Sequence, residues 1–128
     1  MKAADVDILA IDRGLVIAPA GCGKSQLIID ALCRSTSSKP ILILTHTNAG
    51  VAALRRRLDA AKVLSSTYRL TTIDGFAIRL VSTFPQSAQF DLSRLKAETP
   101  PYKDIRIAAC RILEKPRIYD TLIATYAR

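Results

Sequence analysis

At 128 residues and 14.0 kDa the chain has the size of one ordinary domain, large enough to bury a core, and it carries a net charge of +8. A hydrophobic content of 49% with 23% charged residues excludes a disordered polymer, and the lack of Trp leaves Ile, Leu, Val and Ala to build the interior. No apolar run is long enough for a membrane span, and Met1–Asp7 carries acids where a secretory signal would be basic and then apolar. The expectation is a cytoplasmic protein with no membrane partner.

The first predicted element is an apolar strand, Leu15-Val16-Ile17, which breaks into the loop Ala18-Pro19-Ala20-Gly21-Cys22-Gly23-Lys24-Ser25 and then a helix beginning near Ser25. Strand, glycine loop and helix in that order form the layout of a phosphate-binding P-loop. A triphosphate spreads several charges over its oxygens, so a compact site must aim many donors at a small volume. Gly21 and Gly23 let backbone N–H groups approach, and the helix start adds unpaired N–H groups and the positive end of its dipole. Lys24 supplies a mobile cation for the β- and γ-phosphates, and the Ser25 hydroxyl is a candidate Mg²⁺ ligand. Ala18 stands where the general GxxxxGK(S/T) pattern has Gly. The competing reading is a plain glycine turn with a solvated Lys24; the amphipathic face Leu27, Ile28, Ala31, Leu32 that follows favours the P-loop.

Cys22, Cys33 and Cys110 have neither paired nor metal-ligand spacing, which argues against a disulfide framework or zinc site. Cys22, within the loop and next to Lys24, is either a redox-sensitive position or a small residue tolerated where Ser or Thr would fit.

A polar connection, Ser35–Pro40, precedes a second apolar run, Ile41–Leu44, of the kind buried in a parallel sheet. Asn48 is read as the cap of a second helix with Val51, Leu54 and Leu58 as its stripe and Arg55, Arg56 and Arg57 facing outward. Tyr68–Ile73 reads as a third strand, and Asp74 as the cap of a third helix carrying Phe76, Ile78, Leu80 and Val81. Alternation of strand and helix predicts an α/β fold with a doubly wound parallel sheet. Between Ala31 and Ile73 seven Lys and Arg residues face a single acid, Asp59, which suits a polyanionic partner or plain solubility.

From Ser82 to Tyr102, prolines and polar residues predict an irregular insert with at most one short helix near Leu92–Ala97. Ile105, Ala108, Ala109, Ile112 and Leu113 then recur at helical spacing, ended by Pro116, and a last helix, Arg117–Tyr126, carries Ile118, Leu122 and Tyr126 on one side. No internal repeat is present.

Three segments in fixed order resemble one family. Ala18–Ser25 is similar to the AGxGSGKT-type first motif of UvrD/Rep-like superfamily 1 DNA helicases, where Ala commonly replaces the first Gly. Ile43-Leu44-Thr45-His46-Thr47-Asn48, followed by a basic helix to Arg57, resembles that family's LTFTN motif, and Thr71-Thr72-Ile73-Asp74-Gly75-Phe76 resembles its TxHSF motif. The resemblance spans Leu15 to Val81, about half the chain. It implies a RecA-like P-loop domain that uses ATP and Mg²⁺ and contacts single-stranded DNA through Thr45, His46, Thr47, Asn48, Arg57 and Thr72. Short polar groups at the ends of strands suit phosphate contacts.

Departures are informative. His46 stands at the family's Phe position, where it either stacks on a base or serves as a structural hydrogen-bonder. Asp74 replaces a His and carries a charge that repels DNA, so a capping role is favoured. Pro19 replaces a Gly, and the upstream Gln-containing segment that reads adenine in many relatives is not recognisable.

Residues 1–81 are accordingly expected to form the N-terminal part of a RecA-like ATP-binding domain, and residues 82–128 an irregular and helical segment like a reduced 1B region. Hydrolysis also requires carboxylates to hold Mg²⁺ and orient water, and an arginine to offset transition-state charge. No apolar strand ending Asp-Glu is found; the acids Asp91, Glu98, Asp104, Glu114 and Asp120 sit in predicted loops or on helices. In relatives a Tyr-Ala-Arg-like helix end leads into that strand, and this sequence stops at Tyr126-Ala127-Arg128. The expectation is an N-terminal helicase piece that lacks the remaining helicase domains and is inactive alone. Two other classes stand beside it: a non-catalytic nucleic-acid-binding module with a relic P-loop, and a small P-loop kinase or regulatory ATPase.

Overall fold

The computed structural model describes residues 6–128, so the reading of Met1–Asp5 lies outside the described residues. The described chain is a mixed α/β structure, mostly helical, around a two-stranded parallel sheet. Its elements are α1 (Lys24–Arg34), β1 (Ile41–Thr45), α2 (Asn48–Ala60), β2 (Tyr68–Thr72), α3 (Ile73–Thr83), α4 (Pro85–Ala88), α5 (Tyr102–Leu113) and α6 (Pro116–Thr125). No helix among the described residues is long and apolar enough to cross a membrane.

β1 and β2 pair in register from Ile41↔Tyr68 to Thr45↔Thr72, so both strands end at the same level. α2 is the crossover between them, as parallel pairing requires. Ile41, Ile43, Tyr68 and Leu70 pack from the sheet against Ile29 and Leu32 of α1 and Leu54 and Leu58 of α2. Of these Leu58 is fully buried, and burial of such a side chain contributes roughly 1.5–3 kcal/mol.

A second core lies among the helices. Ala77, Leu80 and Val81 of α3 meet Ile105, Ala108, Ala109 and Ile112 of α5, with Ala88 and Ile118 closing the cluster. The i, i+3, i+4, i+7 spacing on α5 brings these residues onto one face. Leu113, read as part of that stripe, is exposed instead, because eight residues after Ile105 it falls at the edge of the face that the other four share.

Several sequence expectations change. Leu15–Ile17 is not a strand: Leu15 and Ile17 are 83% and 85% exposed. A strand needs a ladder partner, and the free edge of β1 is taken elsewhere, by Ala127 N–H donating to Pro40 O at 3.0 Å and Leu42 N–H donating to Arg128 O at 2.9 Å. The expected doubly wound sheet is not seen: among the described residues the sheet has two strands.

The caps also shift by one or two residues. Thr47, not Asn48, caps α2, its Oγ1 accepting from Gly50 N–H at 3.0 Å. Thr72, not Asp74, caps α3, accepting from Gly75 N–H at 2.9 Å. The cap must keep extended backbone, and Thr47 and Thr72 are the last extended residues before each helix. In the insert, the one-turn α4 adds to the expected short helix, which is a 3-10 turn over Leu92–Lys96. Pro116 opens α6 at its first turn, where its missing N–H costs nothing, and α6 ends at Thr125.

Candidate functional site

Two recesses lie at the carboxyl-terminal side of the sheet and beside it. The first is the glycine loop. Gly21 and Gly23 have φ of +80° and +83°, the left-handed region that glycine enters without a Cβ penalty. The space around both is open, so backbone conformation rather than crowding demands glycine here. Cys22 N–H donates to Pro19 O at 3.3 Å, tightening the turn, and the chain then enters the eleven-residue α1 directly through Gly23.

Lys24 is the first residue of α1, and its Nζ folds back to donate to the carbonyls of Ala18 and, at 3.0 Å, Pro19. Ala20, Gly21, Gly23, Lys24 and Ser25 line an open recess of about 350 Å³, and Arg57 forms its far wall. Cys22 is exposed on the same loop.

Arg57 is in this first group and not beside the Thr45–Asn48 segment with which the sequence resemblance grouped it. It sits in the last turn of α2 and donates from Nη2 to Gln26 Oε1 of α1 at 3.1 Å. Gln26 in turn donates to Asp30 at 2.8 Å. Sequence reasoning missed Gln26 altogether; the available signal was an amide in the first turn of the helix that follows the glycine loop.

The second recess is built where β1 and β2 end together. Thr45 Oγ1 donates to Thr47 O at 3.0 Å, and the hydroxyls of Thr47 and Thr72 are the caps of α2 and α3. Those three side chains thus hold the turns in shape. His46, Thr47 and Asn48 come from the first turn, and Thr72, Asp74 and Gly75 from the second; they share a recess of about 290 Å³. Gly75 packs so closely under the turn that a Cβ would lie 2.8 Å from Thr71 Oγ1 and 3.0 Å from Thr72 Oγ1.

Asp74 does not stand as a free negative charge in this recess. Arg106 of α5 donates from Nε to its Oδ1 at 2.9 Å. Tyr102, the first residue of α5, completes the recess opposite the two turns. Neither α5 residue was singled out from sequence, although they are one helical turn apart on the polar edge of a strongly patterned helix.

Comparison with protein families finds one matching family model, the UvrD/REP helicase N-terminal domain, over residues 9–122. Comparison with curated proteins and with solved structures finds no match.

Proposed function

Because the chain belongs to the UvrD/REP helicase N-terminal domain family, we propose that it is the nucleotide-gripping part of a DNA helicase, binding ATP with Mg²⁺ at the glycine loop and single-stranded DNA where β1 and β2 end. Residues 1–81 serve as the RecA-like part in this reading, and residues 82–128 as a reduced helical region resting on α3.

The observation that carries the nucleotide half is the convergence of left-handed Gly21 and Gly23, Lys24, Ser25 and Arg57 on one recess at the start of α1. These residues fit a triphosphate: loop N–H groups and the helix start offer donors, and two cationic side chains face the same space. Bound Mg-ATP supplies the phosphoanhydride and a divalent charge that partly offsets its oxygens. Lys24 exchanges its two loop carbonyls for phosphate oxygens, a change from neutral to charged acceptors that favours the bound state. The Ser25 hydroxyl is the metal ligand in the set. Arg57, steered by Gln26, presents a planar fork to phosphate from the opposite wall.

The DNA half rests on the paired strand ends, where open α/β sheets bind ligands, and on the short polar side chains gathered there. His46, Asn48 and Thr72 face the DNA strand there, with Thr45 and Thr47 fixing the first turn.

The 128-residue chain is expected to bind Mg-ATP weakly and to turn it over negligibly, because no strand-borne Asp-Glu pair is found in its sequence. Titration calorimetry with Mg-ATP on the wild type and Lys24→Ala tests this. Loss of binding in Lys24→Ala is the expected result; equal binding would refute the phosphate site. Steady-state hydrolysis stimulated by single-stranded DNA and lost in Lys24→Ala would refute the inactivity.

A relic P-loop on a DNA-binding module is the second reading, favoured by the two carbonyl bonds that already hold Lys24. Salt-dependent DNA binding indifferent both to nucleotide and to Lys24→Ala distinguishes it.

A further inference from the structure

Leu42, Arg69 and Thr71 belong to the face of the sheet turned away from the strand core. Alternate residues of a strand point to opposite faces, and Ile41, Ile43, Tyr68 and Leu70 occupy the core face. α3 brings Phe76 and Arg79, three residues apart and so on one side of the helix, to the outer face. Tyr126, just after α6, meets them there. These six residues line a cavity of about 90 Å³, and none of them lines the glycine-loop recess or the strand-end recess.

The polar groups gathered at this cavity are donors that lack an acceptor. Arg69 donates from Nη1 to Ser65 O at 3.3 Å and to Tyr68 O at 3.0 Å, which anchors one arm of the guanidinium and leaves Nε and Nη2 without a partner among the described residues. The Arg79 guanidinium and the hydroxyls of Thr71 and Tyr126 also have no partner among the described residues. No carboxylate lines the cavity. The nearest acid along the chain, Asp74, is paired with Arg106 at 2.9 Å and lines the strand-end recess instead. A guanidinium carries five N–H donors and no acceptor, so two of them beside two hydroxyls call for an anion with several oxygens. Sites for organic small molecules begin near about 300 Å³, so a cavity of about 90 Å³ suits an ion of a few heavy atoms and not a nucleotide or a peptide.

We propose that this cavity binds one tetrahedral oxyanion, with inorganic phosphate as the ligand, held by the Arg69 and Arg79 guanidiniums and the Thr71 and Tyr126 hydroxyls. The site is independent of the nucleotide and DNA readings above. Each guanidinium fork matches two phosphate oxygens at once, and two forks from different elements favour a tetrahedral dianion over chloride. Arg69 belongs to β2, Arg79 to α3 and Tyr126 to the segment after α6, so the ion ties the sheet to the helical half and stabilises the folded chain as its occupancy rises.

Phosphorus NMR line broadening and urea unfolding test this on the full 128-residue chain, with inorganic phosphate titrated against chloride at constant ionic strength. Glycine loops also take phosphate, so the titrations use the Lys24→Ala variant, which removes that contribution. Lys24→Ala should show saturable broadening and a urea midpoint that rises with phosphate. Adding Arg79→Gln should weaken phosphate binding about tenfold and reduce the rise in midpoint, and Arg79→Lys, which keeps the charge without the fork, should fall between the two. Arg69→Gln should give a similar loss and replaces Arg79→Gln if circular dichroism shows that variant unfolded. Absence of saturable phosphate binding in Lys24→Ala overturns the inference, as does an affinity that neither arginine substitution changes. An Arg79→Gln variant that loses oligothymidylate affinity while keeping its phosphate affinity also overturns it and assigns the arginine to a DNA surface.

Discussion

Gly75→Ala sets helix propensity against packing, and the two disagree in sign. Gly75 lies in the first turn of α3, and replacing a helical Gly with Ala favours the helix by up to about 1 kcal/mol. Against this, the new Cβ would stand 3.0 Å from Thr72 Oγ1, the oxygen that caps the helix through the Gly75 N–H. Turning that hydroxyl aside costs the cap, about 1 kcal/mol, which cancels the propensity gain. The second contact then decides. Thr71 Oγ1 would be 2.8 Å away, on a stiff β-branched side chain near the end of β2, so strand end or helix must shift. Overpacking of this kind costs about 1–3 kcal/mol, and that is the expected net loss. Urea unfolding followed by circular dichroism measures it, with unchanged m-value as the check that only stability moved. A variant more stable than wild type by several tenths of a kcal/mol would contradict this account, because it would mean the turn yields freely and the fit of Gly75 under Thr71 is not demanded.

Two further outcomes follow from the site and one exposed turn. Arg57→Ala should weaken Mg-ATP binding several-fold and leave oligonucleotide affinity within about twofold, since the side chain faces the glycine loop and not the strand ends; parallel calorimetry and anisotropy read both, and the reverse pattern would return Arg57 to the DNA surface. Asp91 caps the Leu92–Lys96 turn, and its bond from Ser93 N–H at 2.9 Å holds its carboxyl below the ordinary value of 3.8, with Arg94 adding to the effect. A lowered folded-state pKa means the cap is fully effective above 3.8 and is lost as pH falls through the lower folded value. Amide exchange at Ser93 and Arg94 should therefore accelerate relative to neighbouring turns below that pH, and Asp91→Asn, which keeps the acceptor but cannot titrate, should flatten the response.

The parts of this structure that were legible in the sequence are those set by short-range rules. Apolar spacing located α1, α2, α3 and α5 within a few residues, because each helix buries one face and the pattern follows that face. Gly-x-Gly before Lys marked the glycine loop, although the reason for glycine there is the left-handed backbone of both residues and not the close approach expected. The strand at Leu15–Ile17 failed for the opposite reason: its apolar run states that burial is favourable, but whether a ladder partner exists is a property of other segments, and the β1 edge is instead met by Ala127 and Arg128. The same distance rule explains the site. His46, Asn48 and Thr72 come together because two strand ends gather them locally, whereas Arg57, nine residues after Asn48 along the helix, lies at the recess of a loop more than thirty residues earlier in the chain. Asp74 shows how such a distant partner reverses the effect of a charge. Read along the sequence it is an unpaired carboxylate; in the fold it is paired with Arg106 from a helix two elements further on, and Tyr102 of that same helix lines the recess beside it.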